Sequence, residues 1–165
     1  MAAAYLGRGP KTELTDLLCM QLGAASVAEL LESLSRNYVE EGAFAAAVIE
    51  SAERGDDISK EIVQTAGAAL GATAAFVARR LHMEEGEFDL VLAGSLFRSP
   101  GALLLPALEC AVKEAVPGAR PVELKDPPVV GAVLLALENA ELATGPDVHA
   151  RLAAGATTAL YPVVR

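Results

Sequence analysis

The stretch FDLVLAGSLFRSPG, from Phe88 to Gly101, contains the residues whose types and spacing best suit ligand binding. Its short apolar run, Phe88 to Ala93, predicts a buried strand, and Gly94-Ser95 predicts a tight turn directly after it. Ser99 and Pro100 are typical of an N-cap and of the first position of a helix. A strand that ends in a glycine turn before a helix is where α/β folds bind ligands.

The histidines and cysteines show no metal-site pattern. His82 and His149 lack ligand spacing and a nearby carboxylate or cysteine pattern, which predicts surface or capping roles for both. Cys19 and Cys110 stand far apart without a C-x-x-C motif, so neither a zinc site nor a disulfide framework is indicated. We expect buried free thiols in a reducing cytoplasm.

The charge of the chain argues against two classes of partner. Its 165 residues include 22 acidic and 13 basic ones, which gives a formal net charge of −9. Such a chain binds nucleic acid or an anionic membrane poorly, so we expect neither as a partner. The N-terminus, MAAAYLGRGPKTELT, has no basic region followed by an apolar core. This predicts a cytoplasmic protein without a secretory signal.

Helical patterns fill the first half of the chain. They predict helices over residues 12–22, from Ser26 onward, over 43–53, and over a long segment that Asp56-Asp57 cap. We interpret these two aspartates as caps rather than as catalytic carboxylates. The uncharged run from Ile62 to Ala78 is shorter than the roughly 20 residues of a membrane span, which predicts a buried core helix. Gly67 and Gly71 on it predict the close approach of another helix.

The second half follows a strand, helix, strand order, with strands at residues 88–93 and 120–124 around a helix at 100–116. This order predicts a parallel pair with a right-handed crossover. Pro106 should bend or break its helix near Ala102, and Gly155 should interrupt a terminal helix over 148–160. We therefore predict one domain over 1–165, of helix-dominated α/β class, with a small parallel sheet and crossover helices.

Four blocks of the sequence resemble the N-acetylglucosamine kinase and BadF/BadG/BcrA/BcrD ATPase-like family, within the superfamily of sugar kinases, heat-shock ATPases and actin. The blocks are GRGPKTELT at 7–15, AERGDDISKEIVQTAGAAL at 52–70, VLAGSLFRSP at 91–100 and PPVVGAVLLAL at 127–137. Each block is degenerate alone, but together they follow the family's order and span nearly the whole chain. The resemblance implies a partial ribonuclease H-like domain, as in the actin-like ATPases.

The resemblance also implies that the ligand is ATP or ADP. It assigns the adenosine to Gly94 and Ser95, because a base and ribose can approach a backbone without a β-carbon, while Ser95 offers a hydroxyl and an N–H group. A plain strand-to-helix turn at this point is the alternative. The family also has a small residue facing the adenosine at the position of Gly42, which equally suits a helix N-terminus after Glu40-Glu41.

The chain departs from the family where phosphate chemistry begins. The family has a glycine-rich, Asp-containing phosphate loop, whereas this sequence has no Asp-Gly, Gly-Gly or Gly-Thr dipeptide. The resemblance therefore implies the C-terminal, nucleotide-binding half of a two-domain kinase for an amino sugar. The general base and the acidic groups that hold Mg²⁺ would belong to the N-terminal half. We assign no catalytic or metal-binding residue here and expect the chain alone to be inactive.

Two other functions stay open. The chain could be a non-catalytic, helix-rich module that binds a partner or forms a homodimer through apolar helix faces. It could also be an ATPase activator of a radical dehydratase, which would need cysteines to hold an iron–sulfur cluster; Cys19 and Cys110 lie outside the blocks where we expect such cysteines. Because a kinase half leaves its domain interface uncovered, we also expect self-association.

Overall fold

A computed structural model describes residues 2–36, 41–98 and 101–160 of the chain. The contacts between residues divide it into two compact units. The first unit consists of Met1–Leu90 and Ser95–Pro121, and the second consists of Val91–Gly94 and Val122–Arg165. Each unit therefore draws on two separate stretches of sequence.

Helices make up most of the described chain. They are α1 (Ala2–Tyr5), α2 (Leu14–Gln21), α3 (Val27–Arg36), α4 (Glu41–Glu53), α5 (Asp57–Arg80), α6 (Gly101–Ala115), α7 (Pro128–Asn139) and α8 (Pro146–Leu160). The strands are β1 (Phe88–Leu92) and β2 (Ala119–Glu123), and a 3₁₀ helix covers Ser95–Arg98. The predicted helix-dominated α/β class with a small parallel sheet is confirmed.

The sheet pairs β1 with β2 in parallel. At its start the Phe88 amide donates to the Gly118 carbonyl at 3.3 Å, and at its end the Leu124 amide donates to the Leu92 carbonyl at 3.0 Å. Helix α6 connects the two strands, as a parallel pair requires. Each predicted strand agrees with the observed one to within one residue at its ends. The prediction that the first strand is buried is wrong, since Leu92 is the one buried residue of β1 and Val91 is 54% exposed.

Helix α5 packs tightly against α6 in the first unit, through Gly67 and Gly71. A β-carbon on Gly67 would lie 3.0 Å from the Ala107 Cβ and would overlap the Leu104 carbonyl oxygen. One on Gly71 would lie 2.9 Å from the Ala111 Cβ and would overlap the Leu108 carbonyl oxygen. The close helix approach predicted from these two glycines is therefore present, and it needs their missing side chains.

Two apolar clusters form the core of the first unit. One joins α2, α3 and α4, and its buried members are Leu14, Leu17, Leu18, Leu30 and Ala47. The other joins α4, α5 and α6 through Ala52, Val63 and Leu104. The helical spacing of leucines and alanines in the sequence produces both clusters, because residues three or four apart share one helix face.

The face of α5 that points away from this core is exposed. The buried residues of α5 are Ser59, Val63, Gly67, Gly71, Ala75 and Ala78. The core-helix prediction is thus correct for one face only, since Ile62, Phe76 and Val77 are 43%, 63% and 49% exposed. By length and composition α5 could also cross a membrane, a test that the core helix of a soluble protein passes equally.

Two predicted helix breaks are absent. Helix α6 continues through Pro106, although this proline has no N–H group to bond the Ala102 carbonyl. Helix α8 continues through Gly155, where a glycine weakens a helix by only about 1 kcal/mol relative to alanine. The predicted N-cap at Ser99 and first position at Pro100 lie outside the described residues.

Helices α7 and α8 pack against each other in the second unit. Val130 of α7 is buried, at 2% exposure. The segment that leads from β2 into α7 contains Asp126, whose Oδ2 lies 3.0 Å from His149 Nε2 on α8. This contact ties the start of α8 to the chain segment that follows β2.

Candidate functional site

Gly94 occupies the position where the sequence predicts a ligand-binding turn. It follows β1 by two residues and has a φ of +115°, a backbone conformation that residues with a β-carbon rarely adopt. A β-carbon built on Gly94 would meet no atom of the described chain within 4 Å. The backbone conformation therefore requires glycine here, and the space beside its Cα is open.

The residues after Gly94 are fixed by packing. Ser95 is the first residue of the 3₁₀ helix, so its amide stands at a helical N-terminus, while its side chain lies outside what the structure describes. Two residues of that helix, Leu96 and Phe97, pack against the cluster of Ala52, Val63 and Leu104. The 3₁₀ helix is thus anchored to the core of the first unit.

The ends of β1 and β2 meet at one edge of the sheet. The bond from the Leu124 amide to the Leu92 carbonyl joins the last paired residues, and Gly94 follows β1 at that edge. In α/β proteins, ligands bind outside the carboxyl ends of parallel strands, and Gly94 lies at such an end. The segment after β2, which carries Lys125 and Asp126, emerges from the same edge.

His149 pairs with Asp126. The two side chains lie 3.0 Å apart, and His149 is about half-exposed, as a surface histidine is expected to be. They are distant in sequence and meet only because α8 packs on α7, so no local motif reveals the pair. His82 is exposed, as predicted, at the C-terminal end of α5, with a φ of +55°.

Gly42 is the second residue of α4. This agrees with the interpretation that it follows a helix start. Its contact with adenosine, the other interpretation, stays a prediction. Gly42 belongs to the first unit and Gly94 to the second.

Asp56 is a helix cap, as predicted, and its carboxylate also accepts hydrogen bonds from residues outside α5. It is the N-cap of α5, where its Oδ1 accepts a 2.8 Å hydrogen bond from the Ser59 amide. The Thr12 hydroxyl also donates to Oδ1, at 2.9 Å, and the Glu13 amide donates to Oδ2, at 3.0 Å. One carboxylate thus ties the segment before α2 to the start of α5.

These hydrogen bonds also set the charge state of Asp56. Burial raises the pKa of its carboxyl, but the hydrogen bonds from Ser59, Glu13 and Thr12 lower the pKa by more, so that it falls below its ordinary value. Asp57, by contrast, is the first residue of α5 and forms an exposed ion pair with Lys60 at 2.9 Å. Of these two aspartates, Asp56 is the one that caps α5 and bonds to another element.

A cavity of about 410 Å³ lies beside this carboxylate in the first unit. Sequence patterns did not indicate it, because its walls come from α1, α2, α3 and the start of α5. Its lining includes Tyr5, Lys11, Thr12, Thr15, Asp16 and Asp56. Among the described residues, no group of three or more His, Cys, Asp or Glu side chains could hold a metal ion.

No family model matches the sequence, and a search of curated proteins finds no match. The candidate site therefore depends on the geometry of the Gly94 turn.

Proposed function

We propose that this chain is the adenosine-binding half of an ATP-dependent kinase for an amino sugar. The supporting observation is the conformation of Gly94, which has a φ of +115° at the carboxyl end of a parallel strand, with open space where a β-carbon would stand. We infer further that the two strands and their crossover helix are part of a ribonuclease H-like domain of the actin-like ATPase type.

The Gly94 turn suits the base and ribose of a nucleotide better than its phosphates. A ribose can approach the backbone closely because Gly94 has no side chain. The Ser95 amide, at the start of the 3₁₀ helix, can donate a hydrogen bond to the ligand. Because Leu96 and Phe97 anchor this helix in the core, the donor is held in place before the ligand arrives.

The groups that catalyse phosphoryl transfer would belong to the other half of such a kinase. Transfer of the terminal phosphoryl group of ATP to a sugar hydroxyl needs a general base near that hydroxyl. It also needs Mg²⁺ at the phosphates to neutralise the developing charge. We assign both to the phosphate-binding half, and we assign the Gly94-Ser95 turn to adenosine.

Titration calorimetry with ADP tests this proposal. Wild-type protein should bind ADP with a dissociation constant on the order of a millimolar, about 4 kcal/mol, and with little dependence on Mg²⁺. Gly94→Val should abolish binding, because a branched side chain would occupy the ribose position. Ser95→Ala should weaken binding by roughly 1 kcal/mol through loss of one hydroxyl.

Gly55→Val is the matched control for the glycine variant. Gly55 has a similar φ of +105° and the same open space beside its Cα, so valine strains both positions alike. We expect Gly55→Val to bind ADP like the wild type. Equal ADP binding by Gly94→Val and wild type, or no binding by either at millimolar nucleotide, would show that the turn is only structural.

One observation favours the non-catalytic alternative. Helix α5 exposes large apolar side chains, including Phe76 and Val77, as a protein-binding module would. The dehydratase activator gains no comparable support. The prediction that both thiols are buried is wrong: Cys19 is only partly buried beside the α2–α4 core cluster, and Cys110 is exposed on α6.

A further inference from the structure

The exposed side of α5 forms a continuous uncharged surface, which we name the outer face. Its members are Ile62, Ala66, Ala69, Thr73, Phe76 and Val77, and all of them are exposed. Their spacing of three or four residues places them along one side of the helix. The opposite side of α5 packs on α6 through Gly67 and Gly71. Among the described residues, the outer face is therefore exposed to solvent.

Most of the outer face has a similar profile when it is followed from Ala69 in either direction. The small residues Ala66 and Thr73 stand on either side of Ala69, and the larger Ile62 and Val77 lie beyond them. Phe76 adds a second large side chain at the Val77 end only. A two-fold symmetric contact needs a surface that is complementary to itself. On an antiparallel copy of α5, the large residues at one end would meet those at the other end, around a centre where small residues let the helices approach.

The charges that flank the outer face also favour an antiparallel copy. Glu61 precedes the face and Arg79-Arg80 follow it, and all three residues are exposed. None of the ion pairs among the described residues uses them. In an antiparallel pair, Glu61 of each copy would lie near the arginines of the other, whereas a parallel pair would place like charges together.

We propose that two copies of this chain form a homodimer by antiparallel packing of their α5 outer faces. A membrane suits this surface less well, because α6 covers the other side of α5 and the net charge of −9 repels anionic lipid. This proposal depends on the exposed surface of α5 and is independent of nucleotide binding.

Sedimentation velocity measures the mass of the protein in solution and therefore tests for the dimer directly. Wild-type protein should have twice the mass of one chain. Ala69→Glu should have the mass of one chain, because residue 69 lies next to the two-fold axis and the two glutamates would face each other. Gln64→Glu is the control, since it adds the same side chain at an exposed position of α5 away from the outer face. It should stay dimeric.

A charge-swap experiment tests the symmetry of the contact. Ala69→Lys alone should also be monomeric, whereas an equimolar mixture of Ala69→Glu and Ala69→Lys should form a dimer of mixed composition. Circular dichroism of each variant should match that of the wild type, because Ala69 is exposed and no packing is lost.

Four outcomes would overturn the proposal. They are a monomeric wild type at high protein concentration, a dimer that survives Ala69→Glu, a loss of dimer that Gln64→Glu reproduces, and a mixture of the two charged variants that stays monomeric. Flotation of a monomeric wild type with phosphatidylcholine vesicles would assign the outer face to a membrane instead.

Discussion

Thr12 donates its hydroxyl hydrogen to the carboxylate of Asp56, 44 residues further along the chain, at an Oγ1–Oδ1 distance of 2.9 Å. The same carboxylate accepts the Glu13 amide and the Ser59 amide. Each of these donors would otherwise need water or another acceptor, because amides at helix starts lack partners within their helix. A single side chain therefore fixes the start of α5 against the segment that leads into α2.

Replacement of Asp56 by alanine should lower the free energy of unfolding by about 2 kcal/mol or more. The change removes the N-cap of α5 and leaves the Thr12 hydroxyl and the Glu13 amide without their acceptor. Urea unfolding followed by circular dichroism measures the loss. Asp57→Ala is the control and should cost less than about 1 kcal/mol, since Asp57 forms only an exposed ion pair with Lys60. Equal effects would contradict a special role for Asp56.

The contribution of Asp56 to stability should depend on pH in a defined direction. Its folded-state pKa lies below the ordinary value of 3.8, so the carboxylate stabilises the fold fully above that value. As the pH falls below 3.8 and through the lower folded-state pKa, protonation removes the stabilisation. The difference in unfolding free energy between wild type and Asp56→Asn should therefore be constant near neutral pH and shrink in acid. A difference that grows in acid would contradict the sign of this pKa shift.

Alanine in place of the close-packed glycines of α5 should lower stability, whereas alanine at an open glycine of α7 should raise it. Gly67→Ala and Gly71→Ala should each destabilise the first unit by about 2 kcal/mol, because a β-carbon at either position overlaps a backbone carbonyl of α6. Gly131→Ala in α7 should instead raise stability by up to about 1 kcal/mol, since its β-carbon would meet nothing within 4 Å in the described chain. Thermal unfolding of the three variants measures both signs, and a stabilising Gly67→Ala would refute the tight contact.

The elements of the fold could be predicted where local signals are strong. Apolar spacing and the Asp56 cap indicated α5, and short apolar runs indicated β1 and β2. The signal at Gly155 was misleading, because a glycine costs a helix only about 1 kcal/mol relative to alanine. The break predicted at Pro106 is absent although an interior proline costs about 3 kcal/mol, so the packing of α6 outweighs that cost. The exposure of the α5 outer face could not be predicted, since it depends on which elements pack against α5.

Of the candidate site, the sequence predicted only the backbone turn at Gly94. A glycine after a strand indicates a turn, and the positive φ of Gly94 agrees with that. The bonds of Asp56 to Thr12 and Glu13, and the pairing of His149 with Asp126, join residues far apart in sequence. Such contacts follow from tertiary packing, which no local pattern in this sequence specifies.

This chain alone should not phosphorylate an amino sugar. Incubated with ATP, Mg²⁺ and N-acetylglucosamine, it should form no sugar phosphate above the background without protein, because our proposal assigns the general base and the metal ligands to another half. Mass spectrometry of the reaction mixture detects the product. Turnover that rises in proportion to the protein concentration would contradict this division of roles.

A nitrogen-15 NMR titration with ADP tests adenosine binding at the Gly94 turn most directly, because it reports on each backbone amide separately. The amide signals of Gly94 and Ser95 should shift progressively up to millimolar ADP, with or without Mg²⁺. That of Gly155, inside α8, should not move. Saturable shifts centred on Gly94 are the result that we predict, and unchanged Gly94 and Ser95 signals at millimolar ADP would contradict it.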